Sequence, residues 1–132
     1  EAVDHFQHLG LEFRSDNTVG MAREKGRKIR NLFRTAFRRK RKRFAKTRKP
    51  DLRAQLAVDI ARDVVEQGFR SVAIIDYYLK HVNDESQLRQ LDQWLAEEIL
   101  SVTFRNGHKK GNFKKIPFSQ LRAMGLPSLQ HR

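Results

Sequence analysis

Cysteine is absent from the 132 residues. This removes disulfides, cysteine-type zinc sites and thiol catalysis. It fits a reducing compartment, so a cytoplasmic location is the expectation. Long hydrophobic runs are missing as well. No apolar stretch approaches the ~18 residues of a membrane span, and no membrane partner is expected. Gly-rich phosphate loops, nucleophile elbows and Walker patterns are also missing. Acidic residues are scarce in one place. Residues 23–49 hold a single acid, Glu24, beside 15 basic residues, a balance of +14. The remainder carries 13 basic and 14 acidic residues, a balance of −1, and the whole chain is +13. A nearly neutral protein therefore bears one concentrated cationic element. That arrangement points to a polyanionic partner, as dispersed charge would not. The length suits one domain or a large fragment of one. A chain opening on Glu1 reads as a piece of something longer.

Hydrophobic periodicity predicts a mainly α protein: a helical bundle with a long basic helix and a short N-terminal β-hairpin. Val3, Phe6 and Leu9 fall at helical spacing, with Gly10 as a stop. Residues 11–14 and 18–21 are short strand candidates around the turn-like Ser15-Asp16-Asn17. Ile29, Leu32, Phe33, Ala36, Phe37 and Phe44 then lie on one face of a 3.6-residue period, with basic residues covering the rest. Gly26 marks the expected start of this helix. Pro50 marks its end, because proline disfavours helix at the residue before it. Leu52, Leu56, Ile60 and Val64 predict a second helix closed by Gly68. Val72, Ile75, Leu79 and Val82 predict a third, capped by Ser71. Leu88, Leu91, Leu95, Ile99 and Val102 predict a fourth, capped by Asn83 or Asp84 and stopped by Asn106-Gly107. Residues 105–115 form a second basic loop. Residues 117–124 suit a short helix ended by Gly125. The expected organisation is residues 1–21, a helix and hairpin; 22–49, the basic helix; 50–106, a three-helix bundle; and 107–132, a basic tail.

The cationic face suits phosphates. Its side chains would hold a nucleic acid by its backbone, without reading sequence. The expected contacts are Arg27, Lys28, Arg30, Arg34, Arg38, Arg39, Lys40, Arg41, Lys42 and Arg43. Lys109, Lys110, Lys114 and Lys115 follow from the second loop. A basic amphipathic helix also suits an anionic membrane surface or a protein groove, and residues 38–43 match a nuclear localisation signal by composition. Catalysis has weaker support. Asp59, Asp63 and Glu66 share one helical face, but a solvated acidic face or an internal partner for the basic helix explains them more simply. Asp76-Tyr77-Tyr78 has one acid in the wrong order for a polymerase signature. His5 and His8 lack a third ligand.

Several short motifs resemble one family. Leu9-Gly10-Leu11 followed by Asn17-Thr18 resembles the segment after the catalytic strands in the palm of bacterial reverse transcriptases, including group II intron enzymes and antiphage-defence relatives. Leu91-Asp92-Gln93-Trp94-Leu95 resembles the family's C-terminal "Leu-Asp-x-Trp-Leu" helix. The stretches 111–115 and 121–129 resemble the basic tail beyond it. Asn17 stands where the family usually has Lys, and the catalytic Tyr-x-Asp-Asp element would lie before Glu1. The resemblance implies the palm exit, thumb and C-terminal region of an RNA-directed DNA polymerase, gripping primer–template and inactive alone. The fingers and palm would be its partners. Mg²⁺ would serve the complete polymerase, and none is expected on this chain. The alternative is a free-standing small basic RNA-binding protein.

Overall fold

A computed structural model of the chain describes residues 5–8, 11–14, 19–21, 23–68, 84–109 and 111–129. The described residues are mainly helical. At the N-terminal end three short strands, β1 (His5–His8), β2 (Leu11–Arg14) and β3 (Val19–Met21), pair antiparallel in the order β1-β2-β3. Phe6 stands opposite Phe13, and Glu12 opposite Gly20. The helix expected over residues 1–9 is therefore corrected at His5–His8. A spacing of three residues over a single short stretch does not separate the two periodicities.

The basic segment is two helices rather than one. Helix α1 (Arg23–Arg39) is followed at once by α2 (Arg41–Lys46). Gly26 lies inside α1 and does not start it. Ile29, Phe33 and Phe37 bury one edge of α1, and Phe44 is the buried residue of α2. The break falls at Lys40, whose backbone leaves the helical region (φ −101°, ψ 14°). Across the break the rings of Phe37 and Phe44 sit 6.4 Å apart, edge to face at 72°. Thr47 closes α2 through its Oγ1, which donates to the Arg43 carbonyl at 2.7 Å.

Helix α3 (Pro50–Asp63) begins with proline in its first turn, after an extended Lys49, and runs into one π-helical stretch at Val64–Gly68. Ile60 and Val64 are buried as expected, but the first half of its inward face differs from the expected one. Leu52 is 57% exposed and Leu56 is half-buried, while Ala54, Ala57, Val58 and Ala61 are fully buried. Small side chains let α3 come close to α4 (Glu85–Phe104), its principal neighbour. The third expected helix, over residues 71–82, lies outside the described residues.

Helix α4 follows its expected pattern. The Asp84 carboxylate accepts from the Gln87 N–H at 3.3 Å and caps it. Leu88, Leu91, Leu95 and Ile99 are buried, together with Ala96 and Leu100. Short helices α5 (Asn112–Lys115) and α6 (Phe118–Ala123) complete the chain. Gly125, at φ +104°, ends α6 in the left-handed conformation, and the Leu126 N–H reaches back to the Leu121 carbonyl at 3.1 Å. The tail then docks on α4. Asp92 accepts from the Leu129 N–H at 2.6 Å and from the Ser128 hydroxyl at 2.8 Å, with Leu129 buried beside it.

Candidate nucleic-acid interface

Anchoring decides which way the basic residues point. With Ile29, Phe33, Phe37 and Phe44 held in the core, the remaining faces of α1 and α2 must carry the charge. Arg27, Lys28, Arg34, Arg38, Arg39, Lys40, Arg41, Lys42 and Arg43 are all exposed, and Arg30 is half-buried. These residues do not form one uniform surface. Six of them divide between two hollows flanking the α1–α2 junction, and Arg27, Lys28, Arg30 and Lys42 line neither.

On one flank Arg39, Lys40 and Arg43 line a hollow of about 520 Å³ whose opposite wall includes Asp59 and Asp63 of α3. Asp59 and Asp63 thus stand across this hollow from the three cations. Asp59 also pairs with Arg62 at 2.6 Å within its own helix. On the other flank Arg34, Arg38 and Arg41 line a second hollow of about 500 Å³ together with Arg53 and Arg105, over the buried Phe37 and Phe44. Its single carboxylate is Glu98, which lies 4.0 Å from the Arg34 Nε and 2.7 Å from the His108 Nε2. Arg34 is further fixed by the Trp94 ring, 5.3 Å below its guanidinium.

Of these arginines, Arg53 escaped the sequence reading, and Arg105 was read only as the start of the second basic loop. Arg53 is 5% exposed. Its Nε donates to the Thr103 carbonyl at 3.0 Å, and its Nη2 to the Val102 carbonyl at 2.7 Å. Its Nη1 donates to the carbonyls of Phe44 and Thr47, the latter at 3.1 Å. One guanidinium thus ties the C-terminal ends of α2 and α4, where the carbonyls lack helical partners and the dipoles favour a cation. Burial lowers its pKa from the ordinary arginine value, and the nearby Arg105 charge lowers it further. Arg105 follows α4 in the left-handed conformation (φ 55°, ψ 39°), and the Asn106 N–H closes on the Ser101 carbonyl at 3.2 Å. The expected stop at Asn106-Gly107 thus begins one residue earlier. Its only sequence signal is the Asn-Gly pair beside it.

The second basic loop is drawn in by a reciprocal amide pair. Asn106 and Asn112 exchange hydrogen bonds at 3.0 and 2.9 Å. Lys109, Lys114 and Lys115 are exposed and line neither hollow, and the Lys115 ammonium sits 4.8 Å over the Phe104 ring. The Lys110 side chain, Asp76-Tyr77-Tyr78 and the side chains of His5 and His8 lie outside the described residues. Among the described residues no group of three or more His, Asp or Glu side chains is placed to hold a metal ion. Among them, too, no helix is long and apolar enough to cross a membrane. Comparison with protein-family models, curated proteins and solved structures returned no match.

Proposed function

We propose that this chain is a nucleic-acid-gripping module that holds a duplex by its phosphate backbone through the exposed face of α1 and α2. The observation that carries this reading is the rigid mounting of the charge. Arg34, Arg38 and Arg41 project from helices whose opposite edge is buried at Ile29, Phe33, Phe37 and Phe44. A solvated face ordinarily mixes both signs, whereas this one does not. Phosphate contacts position a partner without reading bases, so binding is sequence-tolerant.

The finer reading follows the resemblance. As the thumb and C-terminal part of a reverse transcriptase, with the N-terminal hairpin as palm exit, the module would hold primer–template beside fingers and palm that supply the Mg²⁺-binding carboxylates. One structural observation favours it. Two of the resembling motifs, Leu91-Asp92-Gln93-Trp94-Leu95 and the tail around Ser128-Leu129, touch through Asp92. The free-standing RNA-binding protein is the alternative, and strand preference separates the two. The thumb reading expects a hybrid duplex to bind more tightly than either single strand. Equal or tighter single-strand binding favours the alternative.

The test of the grip itself is the variant R38Q/R41Q/K42Q. Glutamine preserves helix propensity. If all three side chains touch phosphates, the slope of log K against log salt becomes shallower by about 2–3 on duplex. An unchanged slope, or association with anionic vesicles and none with duplex, overturns the reading.

A further inference from the structure

The hollow between α1, α2 and the end of α4 is charged beyond what its structure needs. Five guanidiniums, those of Arg34, Arg38, Arg41, Arg53 and Arg105, line about 500 Å³ against one carboxylate, Glu98. The hollow on the opposite flank has the same volume class but sets three cations against Asp59 and Asp63. Two of the five arginines have structural work. Arg53 spends four of its five N–H groups on backbone carbonyls, and Arg34 lies between Trp94 and Glu98. For Arg38, Arg41 and Arg105, no carboxylate among the described residues lies within ion-pair distance.

Arg105 gives an independent sign. It occupies a left-handed position at a helix end, where glycine is the ordinary residue because a Cβ is unfavourable there. The equivalent position after α6 is Gly125. Arg105 also stands close enough to the buried Arg53 for their charges to oppose one another. Backbone conformation and electrostatics both disfavour arginine at 105. Arg105 thus lines an electropositive hollow against two local preferences, which makes it a candidate contact for a bound anion.

We infer that this hollow seats a single phosphate group, held by Arg38 and Arg41 from one side and Arg105 from the other. The buried Phe37 and Phe44 beneath it lower the local dielectric and strengthen each contact. Arg53 supplies field from below without direct contact. The inference deepens the backbone-grip reading and rests on it. It names one seat among the phosphates contacted and adds a residue outside the basic helices. The phosphate is an internal diester or a terminal monoester.

The experiment uses Arg105→Gly in the 132-residue chain, with Arg105→Gln as a second variant that keeps a side chain. Binding to an RNA–DNA hybrid duplex is followed by fluorescence anisotropy across a salt series, with the 5′ end phosphorylated or hydroxylated. One lost phosphate contact makes the salt slope shallower by about 0.9, roughly an eightfold weakening at 0.1 M salt. That result is expected for both variants. Glycine should leave the thermal midpoint unchanged or raise it, which separates binding from folding. If 5′-phosphate tightens the wild type and Arg105→Gly abolishes the difference, the ligand is the terminal monoester. Equal losses at both ends identify an internal diester. If both Arg105 variants bind with the wild-type affinity and slope while R38Q/R41Q/K42Q is weakened, the seat is refuted and the grip stands. If the wild type does not bind duplex, both fall.

Discussion

Arg53 offers the sharpest test of how the basic helices are held. Replacing it with Met keeps much of the side-chain volume and removes four hydrogen bonds from a site 5% exposed. Hydrogen bonds to a charged donor each contribute roughly 1.5–3 kcal/mol, but their sum overstates the loss because the guanidinium also costs several kcal/mol to desolvate. What the substitution leaves behind sets the magnitude better. The Phe44 carbonyl retains the Thr47 N–H at 3.1 Å. The carbonyls of Thr47, Val102 and Thr103 lose the guanidinium. At about 1–3 kcal/mol for each buried orphan, with water reaching the half-buried ones, the loss is about 3–5 kcal/mol. Arg53→Lys keeps the charge at the two helix ends but cannot span them with one ammonium, and about 1–3 kcal/mol is expected. Urea unfolding followed by far-UV circular dichroism measures both. The like-charge contact adds a coupling test. Arg105→Gln should stabilise the wild type and lose that effect in the Arg53→Met background. A loss below about 0.5 kcal/mol in Arg53→Met would refute the two-helix clamp.

Three further outcomes follow from the packing. Leu95→Ala, at a site with no exposure, should cost about 2–5 kcal/mol, whereas Leu52→Ala, at 57% exposure, should stay within about 0.5 kcal/mol by the same urea measurement. Gly26→Ala should stabilise by roughly 0.5–1 kcal/mol. The glycine lies within α1, and its added Cβ meets only the Arg30 Nη1, at 3.9 Å. Asp92→Ala should release the C-terminal tail, read as faster hydrogen exchange at the Leu129 amide, which Asp92 now accepts from at 2.6 Å; unchanged exchange would remove Asp92 as the anchor.

Helix α4 was legible because its signals agree. A capping aspartate precedes Leu88, Leu91, Leu95 and Ile99, and all four are large enough to mark the buried edge. The same reasoning mis-phased α3. Ile60 and Val64 are buried as expected, but Leu52 and Leu56 drew the expected core face toward themselves, while Ala54, Ala57, Val58 and Ala61 fill the rest of the observed face. Alanine carries little hydrophobic signal, yet its small size allows the close approach of α4. The break at Lys40 was invisible for a related reason. No proline or glycine marks it, and Phe37 and Phe44, which meet across it, fit the period of one continuous helix. Arg53 was hidden because periodicity assigns a charged residue outward. Two of its four partner carbonyls lie 49 and 50 residues away, and none of the four has a sequence signature.

Composition located the cationic element but could not divide it. In the sequence, Arg38, Arg39, Lys40 and Arg41 are neighbours of equal charge. In the fold, Arg39 and Lys40 face the carboxylates of Asp59 and Asp63, and Arg38 and Arg41 face Arg53 and Arg105. Like charges so close on two short helices repel, and the fold answers on each flank differently. One flank is offset internally by α3. The other sets five guanidiniums against Glu98 alone, so most of its repulsion is left for salt or a bound anion to relieve. That asymmetry is what the proposed backbone grip would use. A merely tolerated run would be expected to meet carboxylates in similar number on both sides. Here Asp59 and Asp63 stand on the flank away from Arg105, and five guanidiniums line the other hollow against Glu98 alone.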